Sequence, residues 1–241
     1  MKKFKTAPLK PNKGGEMRGF FIAFEGIDGC GKFTQLHKTK AWLEKLSFLT
    51  AWSREPNDIS SLIGKAIKEM LQGERFKPKN PFEFQRLYVL DRAQDLFVFI
   101  DPWLSRTNSV FLMERFALST IAYGMLSGKP AQVFIDLHEE VIGPRMIWPD
   151  LNIVLDVSAE ETIKRISSDS NRTQKELFEK LETLAKVRQN YLSLTDFPKF
   201  KDSTVVINSE RTTDEVFEDV KTVIKSRISA YKNWPEPAIH T

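Results

Sequence analysis

The stretch from Phe20 to Lys32 limits what this chain can become more than any other part of it. Phe20-Phe21-Ile22-Ala23-Phe24 is a short continuous apolar run of strand length. It leads into Gly26-Ile27-Asp28-Gly29-Cys30-Gly31-Lys32, which fits the pattern G-x-x-x-x-G-K. Leu36, Leu43 and Leu46 then recur at helical spacing. A strand, a glycine loop and a helix in that order make a cradle for an anion. Glycines let successive backbone N–H groups turn inward, the helix N-terminus adds partial positive charge, and the lysine reaches the phosphates. A polyanion is the expected occupant.

One position departs from the pattern. Phe33 follows Lys32 where a serine or threonine hydroxyl would normally meet Mg²⁺. Thr34 does not replace it, because a one-residue step turns a helical side chain by about 100°. Mg²⁺ is then expected to rely on water, phosphate oxygens and a nearby carboxylate.

The rest of the chain alternates. Phe48 to Ser53, Ser109 to Met113, Leu151 to Val157 and Thr204 to Ile207 read as strands. Between and after them, Ser60 to Leu71, a long Pro81 to Leu104, Ala117 to Leu126, Gln132 to Ile142, Ala159 to Ser167, a segment ending near Leu194, and Thr213 to Tyr231 read as helices. Strands alternating with helices predict an α/β domain: a five-stranded parallel sheet with helices on both faces. A polar stretch from Ser167 to Lys175 interrupts the pattern as a short lid.

With 241 residues, 41% of them hydrophobic, one domain over residues 19–233 is the expectation. Residues 1–18 carry basic side chains against the single acid Glu16, but Pro8, Pro11 and Gly14-Gly15 break any amphipathic helix, so this segment reads as a disordered extension. Residues 234–241 read as a loose tail. The net charge is only +4, much of it in that extension, so bulk nucleic-acid binding is not indicated. No apolar run approaches the roughly 20 residues of a membrane span. The single cysteine, Cys30, cannot form an internal disulfide, and a cytoplasmic location is expected.

Several motifs resemble the thymidylate kinase family in its own order, from about Gly19 to Ile224. Phe24 to Gln35 is similar to its phosphate loop, including the trailing Thr34-Gln35. Arg54-Glu55-Pro56 follows the second strand, and Tyr88-Val89-Leu90-Asp91-Arg92-Ala93-Gln94 is similar to an Asp-Arg-Ala segment preceded by an aromatic one turn earlier. Glu114-Arg115-Phe116-Ala117-Leu118-Ser119-Thr120-Ile121-Ala122-Tyr123 resembles an Asp-Arg-Tyr motif, and Pro149 to Arg165 resembles the passage before the lid. Gly124 departs, since glutamine is common there.

The resemblance implies a P-loop NTPase fold, ATP and Mg²⁺ as donor and cofactor, dTMP as acceptor, and a homodimer. It places Gly26, Ile27, Asp28, Gly29, Cys30, Gly31, Lys32, Phe33, Thr34 and Arg165 around ATP, with Arg165 on adenine or second choice for the transfer. Asp28 orients the acceptor or the metal shell, and Arg115 lies between donor and acceptor. Arg54 and Arg92 hold the acceptor phosphate, and Glu55 and Glu114 face the metal. Tyr88 stacks on the base, Thr120 meets the base edge beside Ser119, and Tyr123 crowds the sugar 2′ carbon. Gly29 and Cys30 exclude an arginine inside the loop, so Arg172 in the lid is the expected transition-state cation. A deoxynucleoside kinase, another nucleoside monophosphate kinase and a non-catalytic nucleotide binder are the alternatives.

Overall fold

The computed structural model describes residues 18–73, 80–168 and 180–228. Nearly all of the basic extension, most of the lid with Arg172, and the C-terminal tail lie outside the described residues.

Five strands run parallel in the order β2-β3-β1-β4-β5. They are β1 (Phe20–Glu25), β2 (Leu49–Arg54), β3 (Ser109–Glu114), β4 (Leu151–Asp156) and β5 (Thr204–Asn208). Every residue of β1 is buried, which explains why its sequence is a continuous apolar run rather than an alternating one. Phe21 stands edge-on to Phe111 and Phe116 at 6.0 and 5.0 Å between ring centroids. Truncating such a fully buried ring costs about 3–5 kcal/mol.

The helices are α1 (Lys32–Lys45), α2 (Leu62–Gln72), α3 (Pro81–Asp95), α4 (Asp101–Leu104), α5 (Ala117–Gly124), α6 (Ala131–Val141), α7 (Ala159–Ser168), α8 (Leu181–Thr195) and α9 (Thr213–Ile228). α1 packs on β1, β2 and β3 and against α9; α3, α5, α6 and α8 form a separate contacting group. The expected doubly wound architecture is what forms.

Helix starts follow their capping chemistry. The Ser61 side chain accepts the Gly64 N–H, and the Asn80 side chain accepts those of Phe82 and Glu83 ahead of Pro81. The long helix expected over Pro81 to Leu104 is broken by a π-helical turn, Leu96–Ile100, in which the Asp101 N–H reaches back five residues to the Leu96 carbonyl. Pro102 accounts for it: it lacks an N–H, and its ring would strike the carbonyl of Val98, so the ladder widens there. The helix expected over Ala117 to Leu126 likewise stops at Gly124 and tightens into a 3₁₀ turn, Met125–Ser127.

Strand register sets up the site. Arg54 of β2 and Phe24 of β1 both sit opposite Glu114 of β3, and Glu25 sits opposite Val154 of β4. The carboxyl ends of the three inner strands and of β2 therefore end on one edge, where an open α/β sheet binds its ligands.

Candidate active site

The phosphate loop joins β1 to α1 at that edge. Gly26 has φ 132°, and a Cβ there would lie 2.6 Å from the Leu155 carbonyl oxygen and 2.8 Å from Cys30 Sγ. Both conformation and space demand glycine. Gly31, at φ 93°, sets the N-terminus of α1. Lys32 Nζ lies over the loop and donates to the carbonyls of Gly26 (3.2 Å) and Ile27 (2.9 Å). Ser209, just past β5, donates to the Cys30 carbonyl at 2.6 Å and ties the loop from the other side. Burial pushes the Cys30 thiol up, so it stays protonated.

Phe33 is half exposed and turns toward the edge strand, with its ring 4.1 Å from that of His37 and edge-on to Trp52 at 6.0 Å. Thr34 is exposed on α1.

Beside the loop opens a cleft of about 180 Å³. Asp28, Arg54, Glu55, Tyr88, Glu114, Arg115, Ser119, Thr120 and Tyr123, drawn from four separate stretches of sequence, converge on its walls. Arg115 holds the centre. Its backbone has φ 64°, a left-handed conformation that a non-glycine residue keeps only when its surroundings impose it. Its N–H donates to the Phe24 carbonyl at 2.9 Å, which anchors it to the end of β1. One guanidinium nitrogen donates to the Gly26 carbonyl at 3.1 Å, and the other pairs with Asp28. The Tyr123 hydroxyl donates to the second Asp28 oxygen at 3.2 Å. Desolvation raises the Tyr123 phenol well above its ordinary value, so it remains a donor at neutral pH.

Arg92 lies behind this wall rather than on it. The guanidinium is fully buried and grips both carboxylate oxygens of Glu55, with Arg92 Nε 2.8 Å from Glu55 Oε1. Arg92 also donates to Thr120 Oγ1 at 3.0 Å and to His138 Nε2, and it stacks 4.5 Å above the Phe116 ring. His138 Nδ1 faces the Phe134 carbonyl, which fixes the tautomer: Nδ1 carries the proton and Nε2 accepts. Desolvation and the Arg92 charge hold His138 well below its ordinary pKa. Burial pushes the Glu55 carboxyl up, with Arg92 pulling the other way. The guanidinium cannot shed its charge, so the pair stays ionised. Arg54 differs: it is partly exposed and pairs with Asp58 at 2.7 Å.

A second polar knot lies under Arg115. Glu25, fully buried, accepts from the Phe116 N–H (2.9 Å), Ser119 Oγ (2.5 Å) and the Tyr191 hydroxyl (3.3 Å). Burial raises the Glu25 carboxyl, while Ser119, the Arg115 and Arg92 charges and the Phe116 N–H oppose the shift. Glu25, Tyr191 and His138 had no role in the sequence reading, nor had Gln85 or Lys68, which line the cleft from α3 and α2. Gln85 left one legible signal: a polar residue on the turn before Tyr88, where the helix faces inward.

Arg165 pairs with Glu161 at 3.0 Å and donates to the Ser209 carbonyl at 2.9 Å, next to the loop's outer side. Gly124 packs α5 on α6: a Cβ there would fall 2.4 Å from the Phe134 ring. That contact explains why no larger residue stands at 124.

Residues 24–220 match the family profile described as thymidylate kinase. The chain belongs to the thymidylate kinase family. It is 35% identical to a probable thymidylate kinase of Archaeoglobus fulgidus, over 88% of this chain and 98% of that one. A thymidylate kinase of Maridesulfovibrio salexigens is 33% identical, over 86% and 96%. A probable thymidylate kinase of Pyrococcus abyssi is 31% identical, over 88% and 98%. In this thymidylate kinase family chain, Arg115 bonds to the phosphate loop and lines the cleft beside it.

Proposed function

We propose that this chain transfers the γ-phosphoryl group of ATP to dTMP, yielding dTDP and ADP. The observation that carries the reading is Arg115. It is bonded to the phosphate loop through Gly26 and Asp28 and borders the acceptor cleft through Ser119 and Tyr123. A cation between two polyanions is what in-line phosphoryl transfer needs. An acceptor phosphate oxygen attacks the γ-phosphorus, the bond to the β,γ-bridging oxygen breaks, and ADP leaves.

Lys32 serves the donor phosphates, Arg54 the acceptor phosphate, and Arg165 the adenine side. Tyr88 offers its ring to the base. Tyr123, held by Asp28, stands where a ribose 2′ hydroxyl would crowd it. Arg92 and Glu55 act as one buried unit that orients Thr120. Arg172, supplied by the lid, is the transition-state cation; Arg172→Ala is expected to lower kcat more than about tenfold.

Mg²⁺ neutralises developing charge on the phosphates when bound. The donor set suits an ion that keeps most of its water. Among the described residues no three His, Cys, Asp or Glu side chains converge as a metal cage, and both Glu55 oxygens are taken by Arg92. Glu114 at the cleft, with Asp28 held in place by Arg115 and Tyr123, would hold water on the metal.

The homodimer reading is supported by Phe97, Val98 and Phe99, which present 40%, 55% and 41% of their surface on the π turn. Light scattering on purified protein tests it.

The deciding assay is ADP release with ATP and Mg²⁺ against dTMP, dUMP, ribo-TMP, dCMP, AMP and thymidine. Turnover on dTMP, with dUMP weaker, supports the reading. Turnover on thymidine alone would reassign the chain to nucleoside kinases, and silence on every acceptor with nucleotide still bound would make it a binder.

A further inference from the structure

Gln85 is 3% exposed, and its side-chain amide makes no hydrogen bond among the described residues. It nevertheless lines the cleft. Its amide is not among the fully buried unpaired polar atoms, so the little surface it keeps opens on the cleft, where a ligand can meet its donor and acceptor. Gln85 precedes Tyr88 by three residues and Arg92 by seven on α3, so all three side chains share one helical face. If Tyr88 carries the base, the Gln85 amide lies at the border of that ring.

The opposite side of the cleft offers a hydroxyl. Thr120 Oγ1 accepts from Arg92 at 3.0 Å, so its own proton is left to donate. Its hydroxyl can thus donate to a ring carbonyl, while its second lone pair stays able to accept. Gln85 adds one acceptor and one donor side by side, the complement of a ring N–H next to a carbonyl. An amide by itself could rotate to serve cytosine equally well; the dTMP acceptor proposed above selects the orientation that meets a ring N–H and carbonyl. Gly124, too tightly packed on Phe134 for any side chain, places no amide of its own near the cleft.

We propose that Gln85 is a specificity-determining residue, its amide reading the N3–H and adjacent carbonyl of a 2,4-dioxopyrimidine, a base of the thymine or uracil kind. This rests on the acceptor reading given above. Gln85 takes no part in the transfer step; it selects which monophosphate is held.

The test compares dTMP with N3-methyl-dTMP, which lacks the N–H, in wild-type protein, Gln85→Leu and Gln85→Glu. Binding is measured by calorimetry and turnover by ADP release. In the wild type, dTMP is expected to be preferred by about 100-fold or more. In Gln85→Leu the preference should fall below about tenfold through a higher KM for dTMP, with KM for ATP unchanged. Gln85→Glu keeps the shape, so it reports even where Gln85→Leu does not fold; its dTMP affinity should drop at least about tenfold from loss of the amide donor. An undiminished preference in Gln85→Leu, or wild-type dTMP affinity in Gln85→Glu, overturns the assignment and leaves the kinase reading intact. Wild-type protein that binds dTMP selectively without phosphorylating it would sink the kinase reading alone, and no binding of dTMP at all would sink both.

Discussion

Replacing Glu55 by glutamine isolates the charge that lies behind the cleft. Arg92 is fully buried, and Glu55 supplies both oxygens of its bidentate pair and its counter-charge. Glutamine keeps the shape and one acceptor, removes the charge, and turns an N–H toward a guanidinium N–H. Breaking a buried pair from one side costs about 3–5 kcal/mol, because the remaining ion has no water to return to. For a domain of this size that is a drop in Tm of about 6–20 °C. Urea titration followed by circular dichroism measures it, with thermal melts as a check. The reasoning contains its own refutation: were burial to win and Glu55 to stand protonated at pH 7, glutamine would imitate it, and the loss would stay below about 1 kcal/mol. Removing both members, Glu55→Leu with Arg92→Met, should recover much of the stability while base and phosphate binding stay impaired, since an apolar pair of similar volume is often as stable as the ions it replaces.

Arg115→Lys retains charge but loses the forked contact to Gly26 and Asp28, so kcat should fall by about 100-fold or more with little change in Tm; near-normal turnover would remove Arg115 from the transfer step. Gly124→Gln, although it restores a residue common in the family, should destabilise by about 1–3 kcal/mol by driving a Cβ into Phe134, and a variant as stable as wild type in urea would contradict the packing argument. His138 is held neutral by burial and Arg92, so the folded protein binds fewer protons than the unfolded chain below pH 6.5. Stability should fall as pH drops through that window, by up to about 1.4 kcal/mol per unit, while Asp95 and Asp150, each pushed up to about 6, lose their opposite contribution as pH rises toward 6. His138→Asn should flatten the slope between pH 6.5 and 6, and parallel wild-type and variant curves there would overturn the neutral-histidine reading.

The fold was legible because its signals are local and consistent. A fully buried β1 cannot alternate, a G-x-x-x-x-G-K after it needs a helix to follow, and the same apolar-then-periodic alternation recurs to α9. Strand order was not legible, since β1 pairs with β3 and β4 rather than with β2, and no local residue pattern records which strands are neighbours. The π turn was hidden because Phe97 to Phe99 keep a helical composition, and Pro102 acts on a carbonyl four residues earlier. At the site, charged residues could be named but not their partners. Arg92 and Arg54 look alike as letters, yet one is sealed against Glu55 and the other is partly exposed. That difference comes from burial, which only the packed structure supplies.

The two polar knots meet on adjacent residues of α5. Thr120 receives Arg92, whose charge is balanced from β2's end by Glu55; Ser119 donates to Glu25, at β1's end, and lies 2.7 Å from Tyr191 of α8. Neighbouring helical positions point about 100° apart, so each can serve a different wall. A short helix of eight residues is thus held from three sides by charged or hydroxyl groups rather than by apolar packing alone. Such networks rigidify only when every member is satisfied. This explains why the residues that face the cleft directly, Arg115, Tyr123 and Thr120, are ones whose buried atoms already have partners. The donors are aimed before any nucleotide arrives, and the electrostatic work of phosphoryl transfer depends on that prior aim rather than on movement at the moment of reaction.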